Sequence, residues 1–102
     1  MIRHMDFIKF GQLVTQETKD GIFADLAALV DQIEGTLDFQ LRANISPETA
    51  IVRGFLDVFW FDFLSAETRD DYLENATHIA IGSRLVAAAG GVEGIFVCDF
   101  EL

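Results

Sequence analysis

Apolar and polar residues alternate in a way that divides the chain into strand-like and helix-like segments. The strand-like stretches are residues 2–10, 36–43, 54–64 and 94–101. They are rich in β-branched and aromatic residues and have glycine or asparagine at their ends. The helix-like regions, where apolar residues recur at helical spacing, are residues 15–35 and 65–89. The predicted order is therefore β-α-β-β-α-β.

The second helical region carries two start signals. Ser65 is a suitable N-cap for a short helix over residues 66–74, because its side chain can accept a hydrogen bond from the first turn. The helix then breaks at Asn75, and a longer helix begins at Asn75 or Thr77 and ends before Gly90. This region is expected to form two helical pieces joined by a sharp turn.

The order of the segments predicts an α+β, ferredoxin-like protomer, in which one four-stranded antiparallel sheet carries the helices on one face. The opposite face of that sheet has no cover within the chain. Yet the third strand is apolar on both sides, with Phe59 and Phe61 on one and Val58 and Trp60 on the other. A patch of this size is unusual on a monomer. We therefore expect a homodimer that packs sheet against sheet.

Composition and charge narrow the function. The 102 residues form one expected domain, residues 1–102, and 51% of them are hydrophobic. Seventeen acidic against seven basic side chains give a net charge of −10, which disfavours nucleic acids and anionic membranes as partners. No apolar run approaches 18 residues, and the one cysteine, Cys98, has no internal disulfide partner. We expect a soluble, cytoplasmic protein.

Tyr72 and His78 are candidate proton-transfer groups because they lie on either side of the predicted helix break. His78 would lie in the first turn of the second piece, where the positive end of the helix dipole favours neutral imidazole. A nearby tyrosine hydroxyl can polarise a carbonyl or hold an enolate oxygen. The structural alternative is a tyrosine that packs the helix joint and a histidine that caps a helix.

His4 and Asp6 alternate with apolar residues on the first strand, and Asp57 interrupts one face of the third. If these three groups share the helix side of the sheet, they face a wall of phenylalanines. Carboxylates in such surroundings have a raised pKa unless a histidine or tyrosine donates to them. In the alternative, Asp6 or Asp57 reaches water at a strand end, and His4 is a structural histidine.

Neither metal nor cofactor is expected. The two histidines do not form an H-x₃-H or H-E-x-x-H pattern, and Cys98 has no neighbouring ligand. Gly90 and Gly91 follow a helix, whereas a phosphate-binding loop precedes one.

Several short motifs in their order give the chain a family resemblance over nearly its whole length. They are MIRH with F-x-K-F, N-I-S-P-E, F-L-S-A-E-T, D-Y-L followed by His78, and F-V-C-D-F. Together they resemble the stress-responsive dimeric α/β-barrel family. The resemblance implies a ferredoxin-like protomer whose sheet pairs with a second copy to form a dimeric α/β barrel. The family includes a plant polyketide cyclase that performs an intramolecular aldol condensation.

The resemblance also implies a site. A tyrosine and a histidine of the cyclase pattern match Tyr72 and His78, which would act as oxyanion stabiliser and base. The implied small-molecule pocket would be lined by His4, Asp6, Ile8, Phe23, Asp57, Phe59, Ile95 and Val97. The chain departs from the pattern in having Asn75-Ala76 in place of His-Pro and Asp6 in place of an apolar residue, and in having Asp57 at a polar pocket position. Because the pocket is more acidic, the cyclase substrate is not carried over.

Two functions remain open at this stage. One is a small enzyme of aldol-like proton-transfer chemistry acting on a carbonyl compound, with His78 as base. The other is a non-catalytic dimeric protein that binds a ligand or supports stress tolerance. A haem-degrading or monooxygenase function has no support in the sequence.

Overall fold

Four strands and four α-helices follow one another along residues 1–102, all of which the computed structural model describes. The strands are β1 (Ile2–Ile8), β2 (Thr36–Ala43), β3 (Asp57–Phe63) and β4 (Ile95–Glu101). The helices are α1 (Gln16–Ala28), α2 (Thr49–Val52), α3 (Ala66–Glu74) and α4 (Ala76–Ala88). Short 3₁₀ turns at Leu29–Asp31 and Val92–Gly94 precede β2 and β4.

The strands form one antiparallel sheet in the order β2-β3-β1-β4. This is the predicted ferredoxin-like arrangement, and the prediction of the fold class is confirmed. Pairing places His4 beside Phe61 on one side and Asp99 on the other. It places Asp6 between Phe59 and Val97. Since paired residues share a face, all these side chains lie on the helix side of the sheet.

The core lies between this face and the helices. Its largest contribution comes from β3, where Phe59, Phe61 and Phe63 are all but fully buried. Phe61 and Phe63 stack with ring centroids 5.7 Å apart, and Phe59 meets Phe61 edge to face at 6.1 Å. From the helices, the core receives Ile22, Phe23, Leu26, Tyr72, Ile81 and Leu85.

The opposite face of the sheet is mainly apolar and carries no helix. Phe7 and Phe96 pack together with ring centroids 5.9 Å apart, and Phe96 is still 59% exposed. The guanidinium of Arg3 donates two hydrogen bonds to Asp62, at 2.8 and 3.0 Å, and lies over the Trp60 ring. The third strand is thus apolar on both sides, as its alternation predicts, with one ion pair set into the open face.

Two details of β2 and the following segment differ from the expectation. Strict alternation along residues 36–43 would place Leu37 on the same face as Phe39 and Leu41, but a bulge between Thr36 and Asp38 breaks the alternation. Thr36 therefore takes the buried position, and Leu37 is half exposed. The extra residue of a bulge always shifts the alternation in this way. The loop after Asn44 also contains the unpredicted helix α2, whose four residues are too few to show a period.

The first helical region also ends earlier than predicted. Helix α1 stops at Ala28, a 3₁₀ turn follows, and Gly35 takes a left-handed conformation (φ +88°) just before β2. The carbonyl of Gly35 accepts a hydrogen bond from the Leu64 amide. A Cβ atom at this glycine would come 2.5 Å from the Thr68 hydroxyl on α3. Gly35 thus allows the closest approach of this turn to α3.

Replacing Gly35 with alanine is expected to lower the free energy of unfolding by about 1–3 kcal/mol, because the left-handed backbone and the contact with Thr68 both oppose a Cβ. Gly82, in α4, is the matched control, since a Cβ there meets nothing within 4 Å. Gly82→Ala should raise stability by about 0.5–1 kcal/mol. Urea denaturation of both variants measures this, and equal stabilities would contradict it.

Candidate functional site

The joint between α3 and α4 brings Tyr72 and His78 together. Asn75 ends α3, where its amide donates to the Tyr72 carbonyl at 3.2 Å. It also begins α4, because its side-chain oxygen accepts from the His78 amide at 3.0 Å. The extended backbone of Asn75 turns the chain between the two helices. As a result, the rings of Tyr72 and His78 lie with centroids 3.8 Å apart and planes inclined by 32°.

Tyr72 is the most deeply placed of the candidate groups, with 1% of its surface exposed. Its ring lies 4.9 Å from that of Phe61 and 5.0 Å from that of Phe63. Burial raises the pKa of the Tyr72 hydroxyl far above its ordinary value, and the charges of Asp6 and Asp99 raise it further. The phenol therefore stays protonated, so it can donate a hydrogen bond to an oxyanion but cannot act as a base.

The imidazole of His78 is harder to protonate than that of a surface histidine. Burial lowers the pKa of its imidazole, and the charge of His4 adds to this, while the charge of Asp6 acts against it. Its Nδ1 atom is buried and makes no directed hydrogen bond, although the backbone carbonyls of Tyr72 and Leu73 also favour the charged form. Near neutral pH, His78 is therefore an uncharged imidazole with a free nitrogen beside a protonated phenol.

His4 is a charged histidine between two carboxylates. Its Nδ1 lies 2.6 Å from an Asp99 oxygen, and its Nε2 lies 3.0 Å from Oδ1 of Asp6. Burial alone would lower the pKa of His4, but hydrogen bonding and the charges of Asp6 and Asp99 outweigh it, so the pKa is raised. The ring also meets Tyr72 edge to face at 5.5 Å. An imidazolium thus lies close to the Tyr72–His78 pair.

Asp99 and Arg69 belong to the same cluster, although the sequence reasoning did not select them. Asp99 bridges His4 and Arg69, whose Nη1 donates to the second Asp99 oxygen at 2.7 Å. Strand alternation was a usable signal for Asp99, because it continues the Ile95–Val97 set on β4. Arg69 had no such signal, since its contact depends on how α3 lies over the sheet edge.

The remaining pocket candidates divide into three groups. Asp57 shares the helix-side face but begins β3 opposite Ile8, four residues or about 13 Å along the strand from Phe61. The structure does not bring it to the cluster. Ile8, Phe23 and Phe59 are buried core residues, and Ile95 packs against them. Val97 is 50% exposed beside Asp6, so β4 leaves part of the helix-side face uncovered.

The cluster is closed rather than open. The protein has three surface cavities, of about 630, 330 and 260 Å³, and none is lined by His4, Tyr72 or His78. The largest lies between the start of α1 and the end of α4, and the second borders the open face of the sheet near α2. The expected polar groups therefore assemble, but without a preformed pocket around them.

Two further observations bear on the class of protein. No group of three or more His, Cys, Asp or Glu side chains is arranged to hold a metal ion. None of the helices has the length and apolar character needed to cross a membrane.

The sequence from residue 2 to residue 102 matches the model of the stress responsive A/B barrel domain. The chain belongs to this family. Membership confirms the resemblance found from the motifs. Among curated proteins, no relative matches the chain.

Solved structures of other proteins share the fold. A protein of unknown function from Jannaschia sp. CCS1, described as dimeric and ferredoxin-like, has 24% identity and a TM-score of 0.89, with 99% of this chain and 98% of that chain covered. An Arabidopsis thaliana protein has 20% identity and a TM-score of 0.89, with 100% and 95% covered. The hydroxynitrile lyase of Passiflora edulis has 18% identity and a TM-score of 0.85, with 99% and 92% covered. At these identities the likeness concerns the fold.

The two histidines are expected to titrate on opposite sides of the ordinary value of about 6.5. The His4 midpoint should lie above it, because Asp6 and Asp99 favour the charged form, and the His78 midpoint below it, because of burial. NMR titration of the imidazole Cε1–H signals measures both, since the chain has only two histidines and His78→Gln assigns them. Coincident midpoints would contradict this.

The same shifts have opposite effects on stability. The stability contributed by His4 is complete below its unfolded pKa and is lost as pH rises through its raised folded pKa. The contribution of His78 is complete above its unfolded pKa and is lost as pH falls toward its lowered folded pKa. Replacing His4 with glutamine should therefore change the pH dependence of unfolding above about pH 6.5, whereas replacing His78 should change it below.

Proposed function

We propose that this protein is a small proton-transfer enzyme acting on a carbonyl compound, with His78 as base and Tyr72 as oxyanion stabiliser. The observation that carries the proposal is the buried Nδ1 of His78, which has no hydrogen-bond partner and belongs to a ring in contact with a phenol that stays protonated. A base needs a free lone pair and a pKa near or below the working pH. An oxyanion stabiliser needs a hydrogen to donate.

The proposed step moves one proton. The free nitrogen of His78 takes a proton from the carbon next to the carbonyl, and the electron pair of that bond moves onto the carbonyl oxygen as an enolate. The Tyr72 hydroxyl donates a hydrogen bond to this oxygen, and the imidazolium of His4 favours the negative charge. The low dielectric constant of the phenylalanine wall strengthens both interactions.

Orientation of His4 is assigned to Asp6 and Asp99 in this proposal, and Asp57 has no part in it. Both carboxylates contact the His4 ring, whereas Asp57 lies at the far end of β3. The approach to the site would run over Val97, which is half exposed next to Asp6. The ring contacts of Tyr72 with Phe61 and Phe63 favour an aromatic or otherwise apolar substrate.

The fold supports this class of function without fixing the reaction. A hydroxynitrile lyase has the same fold, so the scaffold accommodates an enzyme. Unrelated activities share one scaffold, and the chemistry must come from the site. The second candidate is a non-catalytic ligand-binding or stress protein, and the absence of a preformed cavity beside Tyr72 and His78 favours it.

Exchange of α-protons for deuterium tests the catalytic proposal directly. Propiophenone and 2-hydroxyacetophenone are incubated with the protein in D₂O, and loss of the α-proton signal is followed by NMR. His78→Ala is expected to lower the accelerated rate by about 10²-fold or more, since a general base contributes 10²–10⁴. Tyr72→Phe should cost about 10²-fold through loss of the oxyanion donor.

Ile79→Ala is the matched control, because Ile79 is the exposed neighbour of His78 on the same helix. This variant should exchange at the wild-type rate. Wild-type exchange in folded His78→Ala would contradict the assignment. Exchange no faster than in buffer would favour the non-catalytic alternative, and a thermal-shift measurement with the same ketones would then show whether the site binds them.

The proposal includes a homodimer formed through the open face of the sheet. Phe96 and Phe100 are substantially exposed there beside Phe7 and Trp60, and no part of the chain covers them. The Jannaschia protein of the same fold is described as dimeric. A cytoplasmic location is also proposed, since the one cysteine forms no disulfide.

Phe96→Asp should turn the dimer into a monomer, because it places a carboxylate in an apolar interface of an already acidic chain. Leu13→Asp is the control, since Leu13 is 98% exposed in the groove between α1 and α4, away from the open face. Sedimentation velocity gives the mass of each variant. A Phe96→Asp protein that remains dimeric would place the interface elsewhere.

A further inference from the structure

The whole protein has three buried side-chain polar atoms without a hydrogen-bond partner, and two of them belong to the cluster around Tyr72. They are Oδ1 of Asp6 and Nδ1 of His78, while the third, the Thr36 hydroxyl, belongs to β2. Nearly all buried polar groups in folded proteins are hydrogen-bonded, so each exception needs an explanation. The proposed proton transfer explains the unpartnered nitrogen of His78, whereas nothing so far explains the unpartnered oxygen of Asp6.

The charge of the Asp6 carboxylate is compensated by the nearby His4, but one of its oxygens lacks a directed hydrogen-bond donor. Its Oδ1 lies 3.0 Å from Nε2 of His4, close enough to raise the pKa of His4, but the angle of the contact is poor for a hydrogen bond and leaves this oxygen without a directed donor. The residue is 8% exposed, so water has little access. A carboxylate can only accept hydrogen bonds. A donor group on a bound molecule would complete the hydrogen bonding of this oxygen.

The charges of the cluster indicate what kind of donor fits. The carboxylates of Asp6 and Asp99 stand against the charged groups of His4 and Arg69. Asp70 also pairs with Arg69, but it is 62% exposed and its charge is solvated, so the buried part of the cluster is balanced. A cationic ligand would add an uncompensated charge to a buried site, which is costly. A neutral hydroxyl supplies the donor without adding a charge.

We propose that Asp6 determines substrate specificity by accepting a hydrogen bond from a hydroxyl group on the carbon next to the substrate carbonyl, so that the enzyme acts on α-hydroxy ketones or aldehydes. This inference rests on the proposed function. Tyr72 would hold the carbonyl oxygen, and the α-carbon would face the free nitrogen of His78. Asp6, which the β1–β4 pairing places next to the half-exposed Val97, would receive the hydroxyl of a molecule that enters past Val97 on the helix side of the sheet.

A purely structural function of Asp6 makes a different prediction. If Asp6 served only to keep His4 charged, Asp99 would be its equivalent, since both carboxylates contact the same imidazole. Asp99 has no unpartnered oxygen, because one oxygen bonds His4 and the other accepts from Arg69. Asp99→Asn is therefore the matched control for Asp6.

The experiment compares α-proton exchange of 2-hydroxyacetophenone with that of propiophenone, in which a methyl group replaces the hydroxyl. Each rate is divided by the rate in buffer, which removes the difference in intrinsic acidity. Wild-type protein should accelerate the hydroxy ketone about 10–100-fold more than the methyl analogue, as expected for a hydrogen bond to a charged group. Asp6→Leu should abolish this preference, and Asp6→Asn should reduce it about tenfold because its oxygen is uncharged.

Asp99→Asn should lower both rates and keep the preference. Thermal unfolding checks that each variant is folded, and Asp6→Asn, the smaller change in shape, keeps the test valid if Asp6→Leu does not fold. Equal acceleration of the two ketones by wild type overturns this inference but leaves the proposed function standing. A preference unchanged by the Asp6 variants, or lost equally in Asp99→Asn, also overturns it. If the protein accelerates exchange of neither ketone, the proposed function itself is overturned.

Discussion

The burial of Phe59, Phe61 and Phe63 beneath the helices holds the molecule together and sets the conditions at its candidate site. Burying a phenylalanine side chain contributes about 1.5–3 kcal/mol, so this one strand supplies a large part of the driving force for packing the helices on the sheet. The same rings surround Tyr72, and the phenol can leave its proton only at great cost in such surroundings. The phenylalanines of β3 thus both stabilise the core and raise the pKa of Tyr72.

Against this apolar wall, small differences in position give the two histidines opposite charge states. His4 lies on β1, where pairing with β4 brings Asp99 against one ring nitrogen and the strand period brings Asp6 against the other. His78 lies one helix joint away, where burial outweighs the charge of Asp6 and the backbone carbonyls of Tyr72 and Leu73. In the proposed reaction, this difference in pKa separates the base, His78, from the electrostatic stabiliser, His4.

Much of this arrangement was accessible from the sequence, and what was not has a physical reason. Strand alternation predicted both apolar faces of β3, and the caps at Ser65 and Asn75 predicted the joint that brings Tyr72 to His78, because these are local signals. Alternation gives the wrong face for Leu37, because a bulge cannot be recognised from the pattern of apolar and polar residues. Asp57 and Asp99 show more clearly what the sequence does not predict. The alternation of residues along a strand predicts which face of the sheet a side chain lies on. Its position along the sheet depends on the strand register, which is set by pairing between distant segments.

The buried charges around His4 are hard to explain as a device for stability. Desolvation of buried ion pairs offsets most of their attraction, and apolar residues of similar volume often replace such pairs with no loss of stability. Asp6 is the clearest case, since burial on β1 removes its carboxylate from water while one of its oxygens has no directed hydrogen-bond donor. Two of the three buried polar atoms without a directed hydrogen-bond partner, Oδ1 of Asp6 and Nδ1 of His78, belong to this cluster, which supports a function in binding rather than in packing.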